Sequence, residues 1–187
     1  MMNKRNTSIL KQQLHILIQS KRFEEAKRVA QNILHIDPSD SDANLFLAQI
    51  CESRGESVRA VEYYWAASKA SLPSETRNLI LEKTVDLCNS ESLFKHGLKP
   101  AEALALARPE YTKALFFYGL FLHKTYFFPK AIEYLTRAHE KDPSNIWCLN
   151  YLASSYAASG GAEKAMFYFD KCEALDSKEN RTSTFRI

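Results

Sequence analysis

The chain has little of what reactive and phosphate-binding sites are built from. Its five glycines are scattered, and the only adjacent pair is Gly160–Gly161. No glycine-rich loop is therefore available to cradle a phosphate. The four cysteines, Cys51, Cys88, Cys148 and Cys172, include no Cys-x-x-Cys pair. Zinc ligation and dithiol chemistry need such close spacing, because two sulfurs must reach one ion or each other. These cysteines read as small apolar packing residues. His15, His35, His96, His123 and His139 show neither His-Glu-x-x-His spacing nor a supported Cys–His pairing. Glu24–Glu25, Glu62 and Glu133 fit solvated helix faces. The expectation is a non-enzymatic chain with no catalytic residues, no cofactor and no metal.

Charge of one sign and long apolar runs are also missing. A net charge of +3 over 187 residues, with bases and acids interleaved, gives no case for nucleic acid. After two early positive charges, the stretch Ile9–Ile18 is broken by Lys11, Gln12, Gln13 and His15, so no signal peptide is expected. The longest apolar-aromatic stretch, Ala114–Leu122, is far shorter than the roughly 20 residues a spanning helix needs. A soluble chain without membrane insertion is expected, with a cytoplasmic address and a nuclear one left open.

What is present is a repeated pattern of two apolar helices, the second with Ala at a fixed place. Asp37-Pro38 and Asp142-Pro143 end two copies, and Pro73 ends another. Taking Pro as position 32 of a roughly 34-residue unit, copies start at Thr7, Ser41, Thr112 and Ile146. Small residues where helices approach most closely explain Gly119, Ala131 and Ala138, and likewise Ala153 and Ala165. Larger residues fill the space between hairpins. Pro disfavours helix in the residue before it, and Ser39 or Ser41, and Ser144, offer N-caps for the next helix. Hairpin turns are expected at Ser20–Arg22, Arg54–Ser57, Tyr126–Pro129 and Ser159–Ala162.

This pattern resembles the tetratricopeptide repeat family. The fourth copy carries it best, with Leu115, Tyr118, Gly119, Leu122, Ala131, Leu135, Ala138 and Pro143 at the expected positions. The fifth has Leu149, Leu152, Ala153, Tyr156, Ala165, Phe169 and Cys172, with Ser177 replacing the proline. The second has Leu47, Ala48, Cys51, Ala60, Tyr64 and Ala67, with Asn44 and Leu72 departing. The first keeps Leu10, Leu17, Ala26, Ala30 and Pro38 but has Gln13 and Leu14 at positions 7 and 8. The resemblance implies an all-α fold, a right-handed superhelical array of antiparallel helix hairpins. One domain over 1–187 would hold repeats at about 7–40, 41–74, 75–111 (degenerate), 112–145 and 146–179, then a polar tail at 180–187. In the degenerate repeat, Asn89–Gly97 reads as a lengthened loop and Lys99–Arg108 as a short helix starting near Pro100. The last helix is expected over about Ala162–Leu175.

In such arrays the first helix of each hairpin lines a concave groove. Fifteen of the 22 aromatics lie between Tyr111 and Phe169, more than the pattern requires, and exposed groove aromatics suit peptide anchoring. The expected partner-binding residues are Lys113, Phe116, Phe117, Leu120, His123, Trp147, Asn150, Tyr151 and Ser154. Packing is expected of Phe121, and edge or turn contacts of Phe127 and Phe128. Met166 and Phe169 form a candidate self-association edge. The family's carboxylate clamp for heat-shock-protein tails needs Lys and Asn at positions 5 and 9, Asn at 6 of the next repeat, then Lys and Arg. Lys11 fits, but His15 and Phe46 stand where the amides belong, so those tails are not expected as partners. The leading expectation is a scaffold binding a partner's peptide or helix in the groove. One alternative is an assembly subunit that self-associates or stacks in a larger complex. A second is an accessory domain of a larger enzyme such as a transferase.

Overall fold

The computed structural model describes the backbone of residues 2–184 and the side chains of residues 6–176. The side chains of the expected polar tail, and residues 185–187 altogether, lie outside the described residues. Ten α-helices and no strand occur among those described: α1 Met2–Gln19, α2 Phe23–Ile36, α3 Ser41–Ser53, α4 Ser57–Ser68, α5 Ser74–Ser90, α6 Phe94–Ala107, α7 Thr112–Lys124, α8 Phe128–Lys141, α9 Ile146–Ala158 and α10 Ala162–Thr184. The chain divides into two compact units, one up to Pro100 and one from Ala101. Among the described residues no helix is long and apolar enough to cross a membrane.

One local device makes every hairpin. Each turn holds a single residue in the left-handed region: Lys21, Gly55 and Ser92 in the first unit, Tyr126 and Gly160 in the second. The next N–H returns to a carbonyl five residues back, from Arg22 to Leu17 at 2.9 Å and from Phe127 to Leu122 at 2.8 Å. That is the Schellman ending, which satisfies an orphan helix carbonyl and reverses the chain. Glycine adopts this conformation without a Cβ clash, whereas Tyr126 sits there at φ 68° against a steric cost of about 1 kcal/mol.

Between hairpins a second device recurs, Asp-Pro-Ser followed by Asp or Asn. The Asp37 carboxylate accepts from the Ser39 N–H at 3.0 Å and hydroxyl at 2.7 Å; Asp142 accepts from Ser144 at 3.2 and 2.7 Å. The helix caps are the residues after these serines. Asp40 accepts from the Ala43 N–H and Asn145 from the Cys148 N–H, both at 2.9 Å. Ser39, Ser41 and Ser144 are thus not the caps. The serine hydroxyls at 39 and 144 are already engaged by the preceding aspartates, and Ser41 is the first helical residue of α3.

In the first unit, α1 packs on α2, α3 on α4, and α2 and α4 on the following helices. Leu14, Leu17, Ala26, Val29, Ala30, Ile33, Ala43, Phe46 and Leu47 form one core cluster. Asn44 is 2% exposed where the family prefers a large apolar residue. Its amide donates to the carbonyls of Pro38 at 3.0 Å and Asp40 at 2.8 Å, so the buried polar group is satisfied and pins the turn. In the second unit α7 packs on α8, α9 on α10, and α9 also touches α7 and α8. A Cβ on Gly119 would come within 2.7 Å of Leu135 Cγ, the close approach that reserves this position for the smallest residues.

The degenerate third repeat differs from its expected form. Residues Asn89–Gly97 are not a loop: α5 runs to Ser90, a short turn follows, and α6 begins at Phe94 with Pro100 inside it. Pro100 removes one i→i−4 bond, which is why it reads as a helix start in sequence. The extra length lies in α5, seventeen residues where α3, α7 and α9 have thirteen. That is about one helical turn, so the buried stripe stays in phase. At the other end, α10 continues to Thr184, beyond the expected stop near Leu175.

Candidate functional site

The second unit gathers rings on the face shared by α7 and α9. Phe116 lies 5.4 Å from Phe117 and 6.4 Å from Tyr151, centroid to centroid. His123 continues the row, 5.3 Å from Tyr151 and 5.6 Å from Phe128, which meets Tyr126 edge-on at 6.0 Å. Phe117 reaches inward to the fully buried Phe121 at 6.1 Å, so the outer rings rest on a packed base. Tilted and edge-on pairs at such separations are favourable beyond the area they bury. The spacing follows from sequence: Phe116 and His123 are two turns apart on α7, and Tyr151 comes from the neighbouring α9 at matching height.

His123 is the polar element of this row. Ser155, fully buried, donates its one hydroxyl proton to the Tyr151 carbonyl at 2.7 Å. At its 2.8 Å contact with His123 Nδ1 it must therefore accept, so the neutral imidazole carries its proton on Nδ1. Burial, and then the neighbouring Lys124, hold the His123 pKa below its ordinary value. The ring is neutral near pH 7 and Nε2 is its basic atom. Lys113 and Lys124 place their ammonium groups 5.8 Å from the Phe117 ring and 5.2 Å from the Tyr151 ring.

The structure joins some expected residues and separates others. Phe116, Phe117, His123, Tyr151 and Lys113 share contacts in the row. Trp147 stands apart from it, 68% exposed near the start of α9. Asn150 is exposed, and Ser154 Oγ donates to its side-chain oxygen at 3.4 Å. Leu120 is a correction: it is 5% exposed and buried with Ala114, Leu115, Tyr118 and Phe121, so it has no surface to offer a partner. Ser155, Lys124 and Phe128 belong to the row but were not expected in it. Ser155 had one sequence signal, a hydroxyl four residues after Tyr151 in an otherwise apolar helix. On α10, Met166, Phe167 and Phe169 are 66%, 53% and 43% exposed.

Among the described residues no three His, Cys, Asp or Glu side chains could hold one metal ion. Burial pushes the Cys88 and Cys148 thiols up to about 12, away from the reactive thiolate.

No protein family and no curated protein matches the chain in sequence. Solved structures do match in fold. YrrB, described as a TPR protein with an unusual peptide-binding site, superposes with a TM-score of 0.61 at 17% identity, over 87% of this chain and 82% of its own. MamA from Desulfovibrio magneticus RS-1, from residue 41 to its end, gives a TM-score of 0.59 at 18% identity, over 92% and 96%. A further MamA crystal structure gives 0.60 at 18%, over 97% and 96%. The likeness, the helix hairpins and the small residues at their crossings agree: the chain is a helical-repeat array with the tetratricopeptide fold, of no assigned subfamily.

Proposed function

We propose that the chain is a non-enzymatic protein-interaction scaffold whose α7–α9 face takes a peptide or helix of a partner. The observation that carries this reading is the row Phe116–Tyr151–His123–Phe128, with the exposed Trp147 on the same α9 helix. Rings held on a packed base lose little conformational entropy on binding, and aromatic side chains dominate binding hot spots. YrrB, of the same fold, has a peptide-binding site. Peptide display against the purified chain tests the reading. Selected peptides should lose at least about thirtyfold in affinity on Trp147→Ala or Phe116→Ala, the scale of a hot-spot truncation. Unchanged affinity in both variants, with helical content intact, would contradict it.

A second reading, an assembly subunit, rests on the exposed apolar residues of α10. It predicts a concentration-dependent mass that falls to the monomer value on Met166→Lys or Phe169→Lys. A constant monomer mass in the unmodified chain would exclude it.

A further inference from the structure

A different cleft lies in the first unit, between α4 and the start of α6. Its volume is about 350 Å³, at the lower end for small-ligand clefts. Val61, Trp65 and Leu98 supply apolar lining, and Lys95, His96 and Lys99 supply basic groups. Among the described residues these three bases make no hydrogen bond or ion pair, and the one carboxylate of the lining, Glu62, pairs with none of them. Lys95 and Lys99 are four residues apart on one helix face, a like-charge pair that repels. A further ammonium, that of Lys69, lies 4.9 Å from the Trp65 ring. Several bases elsewhere in the unit are matched, Lys11 with Asp40, Arg54 with Glu24, Arg59 with Glu56 at 2.9 Å and Lys83 with Glu52 at 3.1 Å, whereas Lys21, Lys27 and Arg28 are not but do not line this cleft. The cleft thus gathers three unmatched bases around the tryptophan.

We propose that this cleft is a second docking site, for an acidic peptide segment that places one aromatic side chain against Trp65 between carboxylates bound by Lys95 and Lys99. The apolar lining consists of three side chains, Val61, Trp65 and Leu98, a contact surface suited to one aromatic ring. The cations are separate side chains around it, so they are satisfied by several carboxylates flanking that ring. Charge-assisted hydrogen bonds from ammonium to carboxylate supply the attraction, and the tryptophan supplies the apolar contact. The site is independent of the α7–α9 face and stands or falls separately from it.

Trp65 and Trp147 are the only tryptophans, so Trp147→Phe leaves Trp65 as a fluorescent reporter inside the proposed site. The probes are capped pentapeptides: Glu-Glu-Phe-Glu-Glu, its lysine counterpart Lys-Lys-Phe-Lys-Lys, and Glu-Glu-Ala-Glu-Glu. The acidic phenylalanine peptide should change Trp65 emission saturably at millimolar concentration or below. Its affinity should fall about tenfold or more in Lys95→Gln/Lys99→Gln, and again at high salt, because each lost charged hydrogen bond is of that order. The alanine peptide should bind more weakly. Both lysines are exposed and unpaired, so the double variant should keep its helical content and melting temperature, which circular dichroism checks. Absence of any emission change, an equal response to the lysine peptide, or an affinity unaffected by the double substitution would each overturn the proposal.

Discussion

The two units use the same hairpin and turn it to different surfaces. In the first, α3 carries Asp42 and Glu52, and α5 carries Glu75, Glu82 and Asp86. In the second, the equivalent helices α7 and α9 hold no acidic residue, and rings take the space. Beneath that difference both units hold the same polar brace. Tyr64 donates to Glu52 at 2.6 Å with Lys83 on the same carboxylate at 3.1 Å, and Tyr118 donates to Glu102 at 2.7 Å with Lys130 at 2.9 Å. The Tyr118 phenol is pushed up to about 12, mainly by burial. The packing rules are shared; the chemistry offered to a partner is not. In repeat folds stability resides in neighbour contacts, which leaves outward positions free to differ.

The largest effect is expected at the helix crossings. Gly119→Ala drives a methyl into Leu135, whose backbone N lies 3.2 Å away as well. Denaturant unfolding should show a loss of about 1–3 kcal/mol, the range for overpacking. Ala48 stands at the same repeat position in the first unit, fully buried. There Ala48→Gly should cost about 1 kcal/mol through helix propensity. Opposite signs, with Gly119→Ala stabilising while Ala48→Gly destabilises, would mean that the two crossings are equally wide.

The turns come next. Tyr126→Gly should stabilise by about 1 kcal/mol, because the left-handed conformation no longer meets a Cβ, whereas Gly55→Ala should destabilise by about as much. Calorimetric shifts of opposite sign check the pair. Tyr126 is 77% exposed, so little packing is lost to offset the gain.

Smaller still are the polar braces. In Glu52, burial raises the pKa, but hydrogen bonds from Tyr64 and Lys83 lower it on balance; in Glu102, hydrogen bonds from Lys130 and Tyr118 lower it. A carboxylate with a depressed folded pKa stabilises above its ordinary pKa and loses that contribution as pH falls through the folded value. The Glu102 side chain is 41% exposed, so screening limits Glu102→Gln to about 1 kcal/mol or less at neutral pH. The deficit should vanish in acid, read as converging melting curves. A deficit that persists undiminished in acid would contradict the brace.

The pH response of His123 is the subtlest effect. Its folded pKa lies below the ordinary 6.5, so the unfolded chain binds the proton more readily. Stability should fall as pH drops through about 6.5, and His123→Gln should remove that part of the slope. The titration is read from NMR ring-proton shifts.

Much of this architecture was legible in the sequence. Gly119, Ala131 and Ala138 announced the crossings because a helix pair that close tolerates nothing larger. Four hairpin turns were placed by Ser, Gly and Pro. What failed had local causes. Gly97 and Pro100 mimic a helix boundary, yet α6 absorbs both. Asp40 and Asn145 were passed over because the preceding serines also favour caps. Leu120 was misplaced because α7 is apolar on nearly every side, so periodicity could not separate groove from core. The His123–Ser155 hydrogen bond spans two hairpins, and no local pattern encodes it.

The central claim is that the ring row of the second unit is the partner surface. Its most direct test is the affinity of one display-selected peptide for the unmodified chain, Phe116→Ala and Trp147→Ala, with Leu79→Ala on the first unit as the exposed control. Large losses are expected for the first two variants and none for the third. Retained binding in both α7–α9 variants, or a loss confined to Leu79→Ala, would contradict it.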